Sequence, residues 1–378
     1  MRRLLCLLLL FTAPASALAQ SSQFGILDLG HPYRGASVTA LGTGGSFASF
    51  DGTSTLNPAS ISSLGGLTAT FSVLGEWRSW QSPDGDASLR DSRFPSFLVG
   101  GPIRKSKLVV GIGFSSYADR DYDAFRTDTV TLGGQRVAVF DSVGATGGIS
   151  DIRGVVAWRP SPEWVIAVGL HLLPGSNRVR VRRAFPDTSF QSISYRSELS
   201  YNSFGVDIGV IRRVGSTLLL AASVRSDGEA KQQVDSLAVT RIDLPYTFSA
   251  AALLRPSPKI QLAVQGVYRT WSGANSDLLR MGVPGSRNSF DLSTGVEYKT
   301  HKSGDQLPLR LGLHYSRLPF SLDQGDYPDE LGFSAGTGIR FARGRGAIEA
   351  SLEEVFRSDN AGRKERATIV SLQVMLRP

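Results

Sequence analysis

The chain is poor in the residue types that carry covalent and metal chemistry. It has one cysteine and four histidines among 378 residues. Cys6 falls among the first leucines of an N-terminal leader, too early to be a lipoprotein cysteine, and is expected to leave with it. The exported chain then has no thiol. That excludes a disulfide framework and a thiolate metal site, even in a compartment that permits disulfides. His31, His171, His301 and His314 show no paired spacing and no Gly-x-Ser-x-Gly elbow is present, so neither a catalytic site nor a metal or other cofactor is expected. Asp119, Asp121 and Asp123 alternate as a carboxylate trio without the rest of a calcium loop. Lys and Arg outnumber Asp and Glu by 41 to 33, but they are scattered, and no basic stripe with interleaved aromatics marks a nucleic-acid surface. Beyond the leader no apolar run approaches the roughly 20 residues that a spanning helix needs.

What is present begins with an export signal. Arg2 and Arg3 precede the apolar residues 4–11, and Ala17-Leu18-Ala19 supplies small residues for cleavage before Gln20, so residues 1–19 read as a signal peptide. No Pro- or Ser-rich linker and no second composition follow, so one architecture is expected to cover most of the chain. Strands remain as a way to cross a bilayer, because a closed barrel pairs every backbone polar group without needing a hydrophobic sequence overall. The mean hydropathy near zero agrees with that.

From residue 67 onward, about fourteen short segments alternate apolar and polar residues, the pattern of a transmembrane antiparallel β-barrel. In 260–271, Ile260, Leu262, Val264 and Tyr268 share one face, while Gln261, Gln265 and Arg269 share the other. Segments 290–299, 309–316, 333–341 and 370–376 obey the same rule. Less regular candidates are 67–77, 94–101, 108–117, 149–158, 164–173, 195–212, 218–225, 243–254 and 347–356. Every second connection is short, at 102–106, 159–163, 214–216, 255–259 and 342–346, with 300–308 somewhat longer. The intervening connections include a long stretch over 118–145. Short turns on one side and long loops on the other distinguish the periplasmic and external ends of such a barrel. Trp77, Trp80, Trp158, Trp164 and Trp271 fall near strand ends and fit interface girdles.

About 47 mature residues precede the first strand. Their Gly, Ser and Ala content suits a compact irregular plug, with a disordered periplasmic linker as the alternative. The stretch runs Thr39, Ala40, Leu41, Gly42, Thr43, Gly44, Gly45 and Ser46, continues to Asp51, and reaches Asn57-Pro58-Ala59 shortly before strand one. Glycines let a backbone lie close against a wall, and Asn before Pro favours a turn whose side chain caps neighbouring groups.

This segment resembles the N-terminal signature of the long-chain fatty-acid transporter (FadL-like) family of outer membrane proteins, and of the related secretion-associated barrels called PorV. The resemblance implies an N-terminal hatch over 20–66 inside a barrel of 67–378 in the bacterial outer membrane, with Asp51, Asn57, Pro58 and Ala59 as the hatch motif. It further implies passive transport of hydrophobic compounds such as long-chain fatty acids, captured among the outer loops and released sideways through a gap in the wall. The implied partners are outer membrane lipid, a hydrophobic small-molecule ligand and, during insertion, the barrel-assembly machinery. The chain departs from the family in ending Met375-Leu376-Arg377-Pro378 without a terminal aromatic, and in lacking an obvious long hydrophobic helix pair in its external loops.

The strand phases turn Arg153, His171, Asp207, Arg225, Arg269, Asp291, Glu297, Arg310, His314, Arg340 and Glu349 toward the lumen. Two readings of this set stay open: a mutually compensating charge network around the hatch, and an arginine track for a ligand carboxylate. Three functional classes likewise stay open, namely a hydrophobic-solute transporter, a PorV-like barrel that binds protein partners, and a nonspecific diffusion pore. A docking barrel should expose a large apolar patch, and a pore should conduct ions.

Overall fold

A computed structural model describes residues 22–378 apart from 28, 84, 188, 235–236 and 302–305. The expected signal peptide lies outside the described residues. After a two-residue strand, β1 (His31–Pro32), and a short helix, α1 (Val38–Leu41), the chain enters an antiparallel wall. Its first strands are β2 (Thr68–Ser82), β3 (Gly85–Arg93), β4 (Ser96–Pro102), β5 (Leu108–Asp119), β6 (Tyr122–Leu132), β7 (Gln135–Trp158), β8 (Trp164–Ala184) and β9 (Ile193–Val214). There follow β10 (Leu218–Ser226), β11 (Glu229–Val234), β12 (Leu237–Asp243), β13 (Tyr246–Ser257) and β14 (Ile260–Arg269). A helix, α2 (Asn275–Arg280), leads into β15 (Ser289–His301), β16 (Gln306–Arg317), β17 (Asp329–Phe341), β18 (Gly346–Ser358) and β19 (Lys364–Leu376). β19 pairs with β2 from Leu376↔Ala69 to Lys364↔Gln81, which closes the barrel.

The wall has 14 strands because four of its staves are each built from two consecutive segments, β3 with β4, β5 with β6, β10 with β11 and β12 with β13. The breaks fall at Phe94-Pro95, Arg120-Asp121, Asp227-Gly228 and Leu244-Pro245. Proline cannot donate to a ladder and Gly228 adopts a positive φ of 63°, which accounts for three of the breaks, while the register of β5 against β7 shifts between Ser116 and Ala118 just before the fourth. Side chains on the outer face are apolar and exposed around the ring, among them Phe71, Ile112, Val168, Leu220, Leu262, Leu292, Leu311, Phe333 and Leu352. This is the belt that a hydrocarbon surround requires.

Three expectations are corrected. The stretch 118–145 is not a long loop: β6 and the first part of β7 form a hairpin that extends the wall beyond the belt, turning at Gly133-Gly134, both with positive φ. Trp271 begins a 3-10 helix after β14 and is buried against Phe320, with ring centroids 4.9 Å apart, so it is not a girdle residue. Trp80 points inward onto Phe24 at 5.1 Å, whereas Trp77, Trp158 and Trp164 are exposed on the outside.

Most of the described residues from 22 to 64 lie inside the ring. They touch wall strands around the circumference, from Ser22 on Glu365 of β19, through Gly44 on Ser334 of β17 and Ser49 on Gln265 of β14, to Asn57 on Val210 of β9. On the side of β7 to β14 the half of the lumen nearest the short turns is apolar. There Leu41, Phe47, Phe50, Leu56, Ile61 and Leu64 pack on small wall residues such as Ala157, Ala167, Ala221, Ala251 and Ala263. Each large side chain so buried contributes about 1.5–3 kcal/mol. On that side the charged lumen residues begin above this layer, whereas Glu297, Arg310 and Glu349 lie at its level on β15, β16 and β18.

Candidate functional site

The N-terminal segment is keyed into the wall by backbone contact. A Cβ on Gly44 would meet the Leu313 carbonyl oxygen at 2.7 Å, and one on Gly42 would meet the Gly336 Cα at 2.9 Å. From the wall side, a Cβ on Gly312 would overlap the backbone of Thr43 and Gly44, and one on Gly209 would overlap Asn57 and Pro58. Gly44 also has φ +69°, a conformation side chains disfavour.

The triplet at 57–59 works as one joint. The Asn57 Oδ1 accepts from Ala59 N at 2.9 Å and caps the 3-10 helix Pro58–Ser63, while Pro58 occupies the first helical position, where no N–H is needed. The Asn57 Nδ2 reaches the carbonyls of Ser49 and Val210, both at 3.4 Å, tying the Gly-rich run to β9. Ala59 is fully buried. Asp51 sits apart from this joint. It accepts from Ser37 Oγ at 2.5 Å and from Thr53 N at 3.0 Å, so it organises the segment internally.

Around and above the segment the lumen holds linked ion pairs. In one group, His171 Nδ1 lies 2.8 Å from Asp151 and its Nε2 3.2 Å from Asp207; Arg225 bonds Asp151 at 2.7 Å and Asp227 at 2.5 Å. Opposite, Arg310 bridges Glu297 at 2.7 Å and Glu349 at 2.6 Å. His314 meets Glu330 at 3.0 Å, Glu330 meets Arg357 at 2.6 Å, and Arg357 bonds Glu365. Arg269 bonds Asp291, and Arg153 donates to the Ser54 carbonyl at 2.7 Å. Arg340 stands outside these groups. It is exposed at the end of β17 near the short turns and has no ion-pair partner among the described residues. The sequence reading missed Glu76, Arg78, Arg93, Asp151, Asp227, Glu330, Arg357 and Glu365, although their strand phase is that of the residues it named.

Since Arg225, Arg269, Arg310 and Arg357 all face protein carboxylates, a ligand carboxylate would have to displace one of them. A recess of about 50 Å³ is lined by Tyr33, Tyr117, Asp151, Arg225, Asp227 and Trp271. An apolar cavity of roughly 150 Å³ takes a benzene ring. This recess is smaller, and charged side chains share its lining with aromatic ones. Within the segment, burial first and the Arg357 guanidinium second push the His31 imidazole down to about 3, which keeps it neutral.

The wall also has a seam. β4 pairs with β5 from Pro102↔Val109 to Ser96↔Ser115. Farther toward the long loops, β3 pairs with β2 and β6 pairs with β7, but among the described residues no ladder joins β3 to β6. β1 lies on the edge of β5 that β4 has left, with His31 opposite Asp119 and Pro32 opposite Ala118, and Tyr33 N donates to the Tyr117 carbonyl at 2.9 Å. Arg93 of β3 bonds Asp119 across the seam and Glu76 at 2.9 Å, while Arg120 Nε donates to the Ile26 carbonyl at 2.9 Å. Asp119, Asp121 and Asp123 therefore have separate roles. Asp121 accepts from Gly147 N at 2.6 Å, and the Asp123 carboxylate lies over Gly144. Next to the seam, Leu29 and Ile149 join Leu173, Ile242, Leu278, Trp271 and Phe320 in one apolar cluster reaching to α2.

No family model and no curated protein matches the sequence. Solved structures do match along nearly the whole chain. A Pseudomonas aeruginosa FadL homologue superposes with a TM-score of 0.65 at 13% identity, covering 92% of this chain and 99% of its own. The Ralstonia pickettii toluene transporter TbuX gives 0.57 at 10% identity, with 91% and 98% covered. The Pseudomonas putida toluene transporter TodX gives 0.54 at 10%, with 92% and 98% covered. At these identities what is shared is the fold: a closed barrel of 14 antiparallel strands like that of the FadL homologue and the toluene transporters.

Proposed function

We propose that this chain is an outer-membrane passive transporter for hydrophobic compounds, with residues 22–67 acting as the hatch and the seam between β3 and β6 as the lateral exit. The observation that carries the proposal is the seam itself, an unpaired stretch of wall whose β5 edge is covered from inside by β1. The axial route is filled by backbone contacts, an apolar layer and ion pairs. An apolar solute would have to break those pairs to pass straight through, leaving buried charges at about 3–5 kcal/mol each. The sideways route follows the Trp271–Phe320–Leu29 cluster to β1 and asks for release of a two-residue strand and of the Arg93–Asp119 pair. Toluene is the compound named for two proteins of this fold, and long-chain fatty acids are the cargo implied by the sequence resemblance, so both are substrates to test.

Paired strands bring opposed Cα atoms to about 4.5–5.5 Å, within the range a disulfide spans. Pro32→Cys with Ala118→Cys should therefore lock β1 in place. In proteoliposomes the reduced double variant should take up toluene or oleate, and oxidation should stop uptake until reductant is added. Uptake indifferent to the lock would remove the lateral route. Large ion conductance by the unmodified protein would favour an open pore. A stoichiometric protein retained in place of a hydrophobic ligand would favour the PorV-like role.

A further inference from the structure

Strand β8 runs without a register shift against both β7 and β9 over its whole length, so its even-numbered side chains share one face from end to end. On that face Ile166, Val168, Leu170 and Leu172 are exposed and apolar, part of the belt that faces hydrocarbon. The same face continues with Arg178, Arg180 and Arg182, all exposed. Across on β9, Arg196 stands directly opposite Arg180. Directly opposed like charges destabilise a strand pair, so this arrangement costs stability in the protein alone. Arg178 has Glu198 at 3.7 Å and Arg180 lies near Asp123, but among the described residues no ion pair is formed by Arg182 or Arg196.

At about 3.3 Å per residue and a strand tilt of about 40°, Arg178 to Arg182 stand roughly 15–25 Å above Leu172. That is the depth of headgroup sugars beyond the acyl chains, not of bulk water. We propose that this arginine ladder on the outward face of β8 and β9 binds the phosphate- and carboxylate-bearing sugars of an anionic glycolipid in the outer leaflet. Guanidinium forks suit both anions, and a polyanion would relieve the Arg180–Arg196 opposition. The proposal rests on the outer-membrane placement above and is independent of which solute is carried.

The probe is a fluorescent lipopolysaccharide with a phosphorylated inner core, titrated into the detergent-solubilised full barrel. Arg182→Gln with Arg196→Gln should weaken binding roughly 30-fold, at about 1 kcal/mol for each arginine near an anionic surface. Arg182→Glu with Arg196→Glu should weaken it further. Arg126→Gln, on the opposite face of the neighbouring hairpin, should leave it unchanged. Both positions are exposed, and the heat-modifiable gel shift of a folded barrel checks that the variants are intact. Unchanged affinity in the double variants, or equal binding of the chemically dephosphorylated lipid, would overturn the proposal. Toluene uptake by the wild-type protein, run in parallel, separates that failure from failure of the transport role.

Discussion

Asn57→Ala should loosen the N-terminal segment without loosening the wall. The substitution removes the acceptor for Ala59 N, a 2.9 Å bond at a helix cap, worth about 1 kcal/mol. It also removes two donor contacts of 3.4 Å, longer than the usual N–H···O range and worth together about another 1 kcal/mol. A loss of about 2 kcal/mol raises the population of a locally released segment about 30-fold. Amide hydrogen exchange reads this directly, since protection falls by the factor through which local opening increases. Amides of 49–64 should exchange about 30-fold faster, while those of β15–β19 keep their rates. Asn57→Asp keeps the cap acceptor but sets a buried carboxylate against the Ser49 and Val210 carbonyls, so its exchange should be at least as fast as that of the alanine variant. A change below about threefold, well under the estimate from local opening, would refute the role given to Asn57. Equal acceleration in the wall would show that the segment and barrel unfold as one unit.

Two further substitutions test how the interior is held. Gly312→Val should lower the unfolding midpoint or expel the segment, because any Cβ there overlaps Thr43 and Gly44; overpacking of this kind costs about 1–3 kcal/mol, whereas Gly154→Ala, with nothing within 4 Å, should be near neutral in a thermal melt. Arg310→Met should cost about 3–5 kcal/mol by stranding Glu297 and Glu349, and adding Glu297→Gln with Glu349→Gln should recover most of the loss in denaturant titrations.

The second half of the wall was legible in the sequence and the first half less so, for a physical reason. Strands β14 to β19 keep one register throughout, so residues such as Arg310, His314 and Glu349 stay in phase with their neighbours. The four two-segment staves do not. Asp91 and Arg93 face inward on β3, yet past Pro95 it is Leu98 and Gly100 on β4, and past Gly228 the inward set shifts from Arg225 to Ala230 and Gln232. One extra residue exchanges the faces, and a fixed period of two then reads as noise. The 118–145 hairpin was lost differently. Above the belt β6 has no buried face, so Arg126, Thr127, Asp128 and Thr129 show no alternation; the surviving signals were Gly133-Gly134 and the β-branched residues around it. Arg340 kept its inward phase but lies below the last ion pair, at the mouth of the barrel.

A lumen built from ion pairs and a hydrophobic cargo suit one another only if the cargo leaves early. Bonds such as Arg310 to Glu297, or Arg357 to Glu330 and Glu365, join neighbouring staves through their inward faces, and Arg310 to Glu349 reaches across β17, so they brace the ring where the segment is seated. The seam lies elsewhere, between staves joined by Arg93 and Asp119 and by β1. Opening it would leave the braces of β15 to β19 intact. On this reading the wall is rigid over most of its circumference so that movement at β1 is confined to one place, and the charges missed in the sequence matter for where the barrel does not move.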